Sequence, residues 1–111
     1  MEDKIKSGYL YDFYGELLTE HQRSVYEMSI NEDLSLSEIA DSLSISRQAV
    51  HDILKRCDKL LSDYENRLHL VEKFMIIRED VLRINELTEK EADTDTLSQI
   101  ASISKLILEE L

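Results

Sequence analysis

The sequence predicts an all-α protein, and three observations carry that prediction. Two glycines and no proline occur in 111 residues, whereas an average chain holds about 7% Gly and 5% Pro and sheet proteins spend both on turns. Apolar residues recur at steps of three and four, the period of a helix with one buried face. Serine and threonine stand at the heads of several of these segments, where a side-chain oxygen can accept from the amides that a helix start leaves unpaired.

The elements follow in order. From Ile5 to Leu18, Leu10, Phe13, Tyr14, Leu17 and Leu18 make one apolar face, and Gly8 and Gly15 predict a bend or a frayed end. Tyr9, Tyr11, Phe13 and Tyr14 are expected to pack this helix on the others. Thr19 is the N-cap of a second helix, with Gln22 behind it, Val25, Met28 and Ile30 as apolar contacts, and Asn31-Glu32-Asp33 as its end. Ser35-Leu36-Ser37-Glu38 is a capping box, in which the Ser35 hydroxyl accepts from the Glu38 amide and the Glu38 carboxylate accepts from the Ser35 amide. A short third helix then runs to about Ser42, and Ser46 caps a fourth that starts at Arg47.

No Gly or Pro interrupts the chain between Arg47 and Glu89. Cys57, Leu61, Tyr64, Leu68, Val71 and Met75 alternate steps of four and three, the spacing of a coiled-coil seam. Phe74, Ile77, Val81, Ile84 and Leu87 form a second stripe on a rotated face. The rotation predicts either a new helix near Leu70 or one helix that changes partners. Glu89 to Thr96 (EKEADTDT) reads as a polar linker, and Leu97, Ile100, Ala101, Ile107, Leu108 and Leu111 as the apolar side of a last helix. Residues 1–69 are therefore expected to hold the N-terminal helices, with a helix-turn-helix over 35–56. Residues 70–111 are a helical extension packed on the first part or on a second subunit.

The helix-turn-helix is read from the spacing within SLSEIADSLSISRQAVHDIL. Two helices that cross steeply over a tight turn need a small residue at the crossing, and Ala40 supplies it. Ile39, Leu43, Ile45, Val50 and Ile53 fill the buried positions. The turn position favours φ > 0 and commonly holds Gly, and Ser44 stands there instead. If the second helix met nucleic acid, its exposed face would present Arg47, Gln48, His51, Lys55, Arg56 and Lys59. Arg47 and Gln48 have the chemistry to read guanine and adenine edges, and Lys55, Arg56 and Lys59 that of phosphate contacts. Asp52 opposes this with a carboxylate on the same surface.

Charge bounds the function further. The formal net charge is -11, yet residues 46–60 hold four Lys or Arg against two Asp, a local +2. The acidic remainder withholds the long-range attraction that supplies most non-specific DNA affinity. A dimer or larger assembly would restore it.

EIADSLSISRQAVHDILKR resembles region 4 of the sigma-70 family. Over nearly the whole chain, the segments YDFYGELLTEHQ, SLSEIA and SRQAVHDILKRCDKLLSDYENRLHL resemble the YlxM family of small bacterial proteins. The resemblance implies a sigma region 4-like helical fold with a helical C-terminal extension. It also implies a regulatory or accessory role in the signal recognition particle pathway, inferred for the family from neighbouring genes. The particle's components would then be its partners, and the acidic surface suits a basic partner such as the particle's RNA-binding domain. Arg47 matches a DNA-reading arginine of sigma region 4, while His51 and Asp52 replace the basic and amide residues expected beside it. The competing expectation is a sequence-specific DNA-binding transcriptional regulator.

The other constellations point away from catalysis. No Gly-rich phosphate loop is present, no nucleophile stands beside a base, and His21, His51 and His69 are scattered, so neither an enzyme nor a cofactor nor a metal site is expected. Glu65, His69 and Glu72 read as a salt-bridge cluster on a helix surface. Cys57, the one cysteine, reads as a small buried hydrophobe. With no apolar run near the roughly 18 residues of a membrane span and no signal-peptide pattern at the start, a cytoplasmic location without membrane insertion is expected, as is a homodimer.

Overall fold

A computed structural model describes residues 4–111. The elements are α1 (Lys4–Tyr14), a 3₁₀ turn (Gly15–Leu17), α2 (Glu20–Ile30), α3 (Leu36–Leu43), α4 (Arg47–Leu68), α5 (Leu70–Thr88) and α6 (Thr94–Glu110), with no strand among the described residues. The chain is all-α. It divides into two units, one ending at His69 and one starting at Leu70.

In the first unit the helix starts are fixed by side chains close in sequence. Thr19 Oγ1 accepts from the Gln22 amide at 3.1 Å and Gln22 Oε1 from the Thr19 amide at 2.9 Å. Ser35 and Glu38 repeat the exchange at 3.1 and 2.9 Å, so both boxes satisfy two orphan amides each. Ser46 Oγ accepts from the Ala49 amide at 3.0 Å and opens α4.

The turn between α3 and α4 is a Schellman motif. The Ile45 amide donates to the Ala40 carbonyl at 3.1 Å and the Ser44 amide to that of Asp41 at 3.4 Å. Ser44 is left-handed, with φ 56° and ψ 43°, so a serine occupies the conformation for which the motif favours glycine. Ile45 then turns back onto the core, and α3 ends at Leu43, one residue beyond the expected Ser42.

Val25, Ile39, Ala40 and Val50 form the buried cluster where α2, α3 and α4 meet, with Leu36, Leu43, Ile45, Ile53 and Leu54 packed around it. Burying each large aliphatic side chain is worth about 1.5–3 kcal/mol. Further along α4, Cys57 and Leu61 are fully buried, and Leu10, Tyr14 and Leu18 are buried from the first segment of the chain. Phe13 and Leu17, expected on the apolar face of α1, are instead exposed, and Ser7 is buried. The helix stops at Tyr14, and the 3₁₀ turn changes the phase that Leu17 would have followed.

Three tyrosine hydroxyls tie the helices together. Tyr26 donates to Asp58 at 2.7 Å, Tyr14 to Glu65 at 2.6 Å, and Tyr11 to the Glu27 carboxylate. The Tyr11 and Tyr26 rings stack at 5.4 Å. Burial, then the Glu27 carboxylate, pushes the Tyr11 phenol up to about 12, and burial and Asp58 push that of Tyr26 higher still. Gly15 lies against this stack, and a Cβ there would meet the Tyr11 ring at 2.8 Å.

The expected coiled-coil seam is not continuous. Its first members Cys57, Leu61 and Tyr64 face inward, but α4 ends at Leu68, which is exposed, and His69 caps it in the left-handed conformation at φ 57°. That residue resets the helical phase, so Val71 and Met75 belong to a different helix. Glu65 accordingly lies on α4 and Glu72 on α5, with His69 between the two helices.

In the second unit α5 and α6 pack antiparallel. The polar linker is shorter than expected: Asp93 Oδ1 accepts from the Thr96 amide at 2.7 Å, so α6 begins at Thr94 and only residues 89–93 connect the helices. The stripe of α6 withdrawn from solvent is Thr96, Ile100, Ile103 and Ile107, and on α5 Ile77, Ile84 and Leu87 are likewise buried or half-buried. Leu97, Ala101, Leu108 and Leu111, expected to be part of that buried side, are exposed. No helix of the described residues is long and apolar enough to cross a membrane.

Candidate nucleic-acid interface

The candidate residues Arg47, Gln48, His51, Lys55, Arg56 and Lys59 are all exposed on α4. The Ser46 cap and the burial of Val50 and Cys57 fix which side of α4 faces inward, and so direct these six side chains outward. They fall into two groups. Arg47, Gln48 and His51 line a shallow cleft with Leu36 of α3, of about 210 Å³. Lys55, Arg56 and Lys59 surround a more open concavity of about 460 Å³ with Asp52 and Ile53. Three cations therefore converge on one apolar-floored hollow.

Asp52 lies between the groups and engages the first. Gln48 Nε2 donates to Asp52 Oδ1 at 2.9 Å, and His51 Nδ1 is 3.5 Å from the same oxygen. The amide suited to reading adenine is thus held by a neighbouring carboxylate. Reading a base would break that bond and bring a negative charge toward phosphate. In the second group Lys59 pairs with Asp63 at 3.1 Å, an exposed i, i+4 contact worth about 0.3–0.5 kcal/mol. Arg47, Lys55 and Arg56 have no ion-pair partner within 4.0 Å among the described residues.

Ile53, expected among the buried positions of the helix-turn-helix, and Leu36, from the capping box of α3, are apolar walls of these concavities. Both are half-buried against the core cluster and so face core and concavity at once, which helical phase alone does not reveal. The Asp63 contact was readable from the Lys59 spacing. Cys57 is fully buried, and desolvation, then Asp58, pushes its thiol up to about 11. Among the described residues no group of three His, Cys, Asp or Glu side chains is placed to hold a metal ion.

A short capped helix crossing a long one over a left-handed turn, with exposed polar residues at the start of the second, defines a helix-turn-helix protein. Residues 1–103 match the family described as "Putative helix-turn-helix protein, YlxM / p13 like", and the chain belongs to that family. It is similar to a UPF0122 protein of Clostridium novyi, 42% identical over 113 residues that cover 98% of each chain. A UPF0122 protein of Clostridium botulinum is 46% identical over 96 residues, 86% of this chain and 88% of its own. One from Bacillus thuringiensis is 39% identical over 108 residues, 96% and 98% of the two chains.

Proposed function

We propose that this protein is a regulatory or accessory factor of the signal recognition particle pathway, which holds the particle's RNA through the basic half of α4. The observation that carries the reading is the concavity of Lys55, Arg56 and Lys59, a cationic hollow on a chain of charge -11. Phosphates are its natural ligand: a phosphate contact needs charge and reach, whereas base reading needs unoccupied donors. With Gln48 and His51 leaning on Asp52, the face suits backbone contact better than sequence readout. The pathway itself rests on the family resemblance. DNA-binding regulation is the second reading, favoured by Arg47 at the head of α4 beside Gln48 and His51.

The test measures binding of the full chain to the reconstituted particle, its RNA and genomic DNA fragments across a salt series. Three phosphate contacts give a log–log salt slope near -2 on single-stranded segments. Lys55→Ala with Arg56→Ala should remove most of that slope and weaken RNA binding at least tenfold, while Arg47→Ala changes it little. Nanomolar, sequence-selective DNA binding lost in Arg47→Ala would overturn the RNA reading in favour of the regulator.

A further inference from the structure

We propose that a second concavity, between α1 and α4, takes the ribose 2′-hydroxyl of the bound strand, so that this face prefers RNA to DNA; the inference rests on the phosphate contact proposed above. The hollow holds about 400 Å³ and is lined by Lys6, Ser7 and Leu10 of α1 and by Asp58, Lys59 and Ser62 of α4. Lys59 also lines the concavity of Lys55 and Arg56, so the two hollows share a wall. At a rise of about 1.5 Å per residue, Ser62 lies roughly 10 Å along α4 from Lys55. A strand carries one phosphate per roughly 3.4 Å of helix axis, so one that meets Lys55 and Arg56 reaches the second hollow within about three nucleotides.

The mixture of donors and acceptors sets this hollow apart from its neighbour. Lys6 and Lys59 only donate, whereas an ionised Asp58 only accepts. Lys6 has no ion-pair partner within 4.0 Å among the described residues, and the exposed Lys59–Asp63 pair is weak enough to exchange. Asp58 is held in place by the buried Tyr26, whose hydroxyl donates to Oδ1 at 2.7 Å. Its Oδ2 accepts no hydrogen bond among the described residues. A bare phosphate presents acceptors alone and meets that carboxylate as a repulsion. A ribonucleotide presents both kinds of group: its 2′-hydroxyl donates to Oδ2 while the adjoining phosphate lies against Lys6 or Lys59. A deoxynucleotide lacks the donor and leaves the carboxylate facing phosphate unpaired. Asp58 thus selects the sugar of a strand whose phosphates the lysines hold.

Binding of the full chain to oligouridylate and to its 2′-deoxy and 2′-fluoro counterparts tests the assignment. The three carry the same bases and phosphates, and the fluoro chain keeps an RNA-like sugar without a 2′ donor. A hydrogen bond to a charged group predicts about tenfold tighter binding of the RNA than of either counterpart. Asp58→Asn keeps an oxygen for the Tyr26 hydroxyl and should cut that ratio severalfold, with helical circular dichroism unchanged and affinity for the deoxy chain raised. Lys55→Ala with Arg56→Ala should weaken binding of all three alike and leave the ratio intact. Equal binding of the RNA and fluoro chains would overturn the sugar contact alone, as would a folded Asp58→Asn chain that keeps the full ratio. Undiminished binding of all three by the Lys55→Ala/Arg56→Ala chain would overturn the phosphate contact of α4, and this inference with it.

Discussion

Replacing Ser44 by glycine should stabilise the helix-turn-helix, the reverse of what most substitutions do. Ser44 sits at φ 56°, ψ 43°, where an L-residue pays roughly 1–2 kcal/mol for the approach of its Cβ to the carbonyl oxygen. Glycine pays nothing there, but it loosens the unfolded chain, which returns about 0.4–1 kcal/mol of the gain. The Schellman bonds from the Ser44 and Ile45 amides are backbone bonds and survive the change. The side chain is exposed, so no packing is lost. The net expectation is a gain of about 0.5–1 kcal/mol, which for a unit of this size is a rise of roughly 2–8 °C in Tm.

The assay can isolate the right unit. All five tyrosines, Tyr9, Tyr11, Tyr14, Tyr26 and Tyr64, precede His69, and there is no tryptophan. Tyrosine fluorescence during a urea or thermal melt therefore reports the first unit alone. Ser44→Val serves as the opposite control, since a β-branched residue is worse still in this conformation and should lower stability by about 1 kcal/mol or more. A Ser44→Gly midpoint equal to or below wild type would refute the argument that backbone strain at this turn is borne by the serine.

Gly15→Ala should cost about 1–3 kcal/mol by the same melt, because the new methyl displaces a Tyr11 ring held by the Tyr26 stack and the Glu27 carboxylate. Cys57 should resist a thiol reagent at pH 8 and titrate fully in guanidinium, since it is buried and its thiol is pushed up to about 11. Its protonated form favours the folded state, so that contribution is complete below pH 9, the ordinary thiol value, and is lost as pH rises through 11. The urea midpoint of wild type should fall over that range more than that of Cys57→Ala. At the acid end the Ser35 amide and hydroxyl hold the Glu38 carboxyl below its usual range, so its stabilising effect is present above the ordinary carboxylate value and fades as pH falls through the lower folded one. Ser35→Ala should lower the midpoint at pH 7, and its difference from wild type should narrow as pH falls below the ordinary carboxylate value.

What the sequence made legible was local. Ser35, Ser46 and Thr19 each act on an amide three residues away, so their roles as caps could be read without knowing the fold. The helix-turn-helix was legible for the same reason, since Ala40, Ser44 and Val50 are joined by a turn too short to allow alternatives. The break at His69 was legible only as one of two readings, since the change of apolar face suited a new helix near Leu70 and a change of partners equally. A left-handed residue in a run without glycine or proline has no compositional mark, and the four-three spacing of Leu61, Tyr64 and Leu68 continues across it into Val71 and Met75 as if nothing happened. On α6 the pattern offered two adjacent stripes, and choosing the buried one required knowing where α5 lay. The exposed positions on α4 could be named in advance from helical phase, but the engagement of Gln48 by Asp52 depends on rotamers, which the sequence does not fix.

The opposition between an acidic chain and the basic face of α4 is decided by distance and salt. From Arg47 to Lys59 the helix rises about 18 Å, roughly two Debye lengths at physiological ionic strength, where screening extends about 8 Å. A phosphate at the concavity then senses Lys55, Arg56 and Lys59 with Asp52 and Asp63, and less of the acidic charge further away. At 0.01 M salt the screening length grows to about 30 Å, and the acidic segments enter the balance. Most phosphate-binding proteins gain affinity steadily as salt is withdrawn. Under the RNA contact proposed above, this chain should gain it only down to the point where its own carboxylates are felt, so its affinity curve should flatten or turn over at low salt. A straight log–log line down to 0.01 M would mean that the ligand is held further from the acidic segments than the α4 face allows.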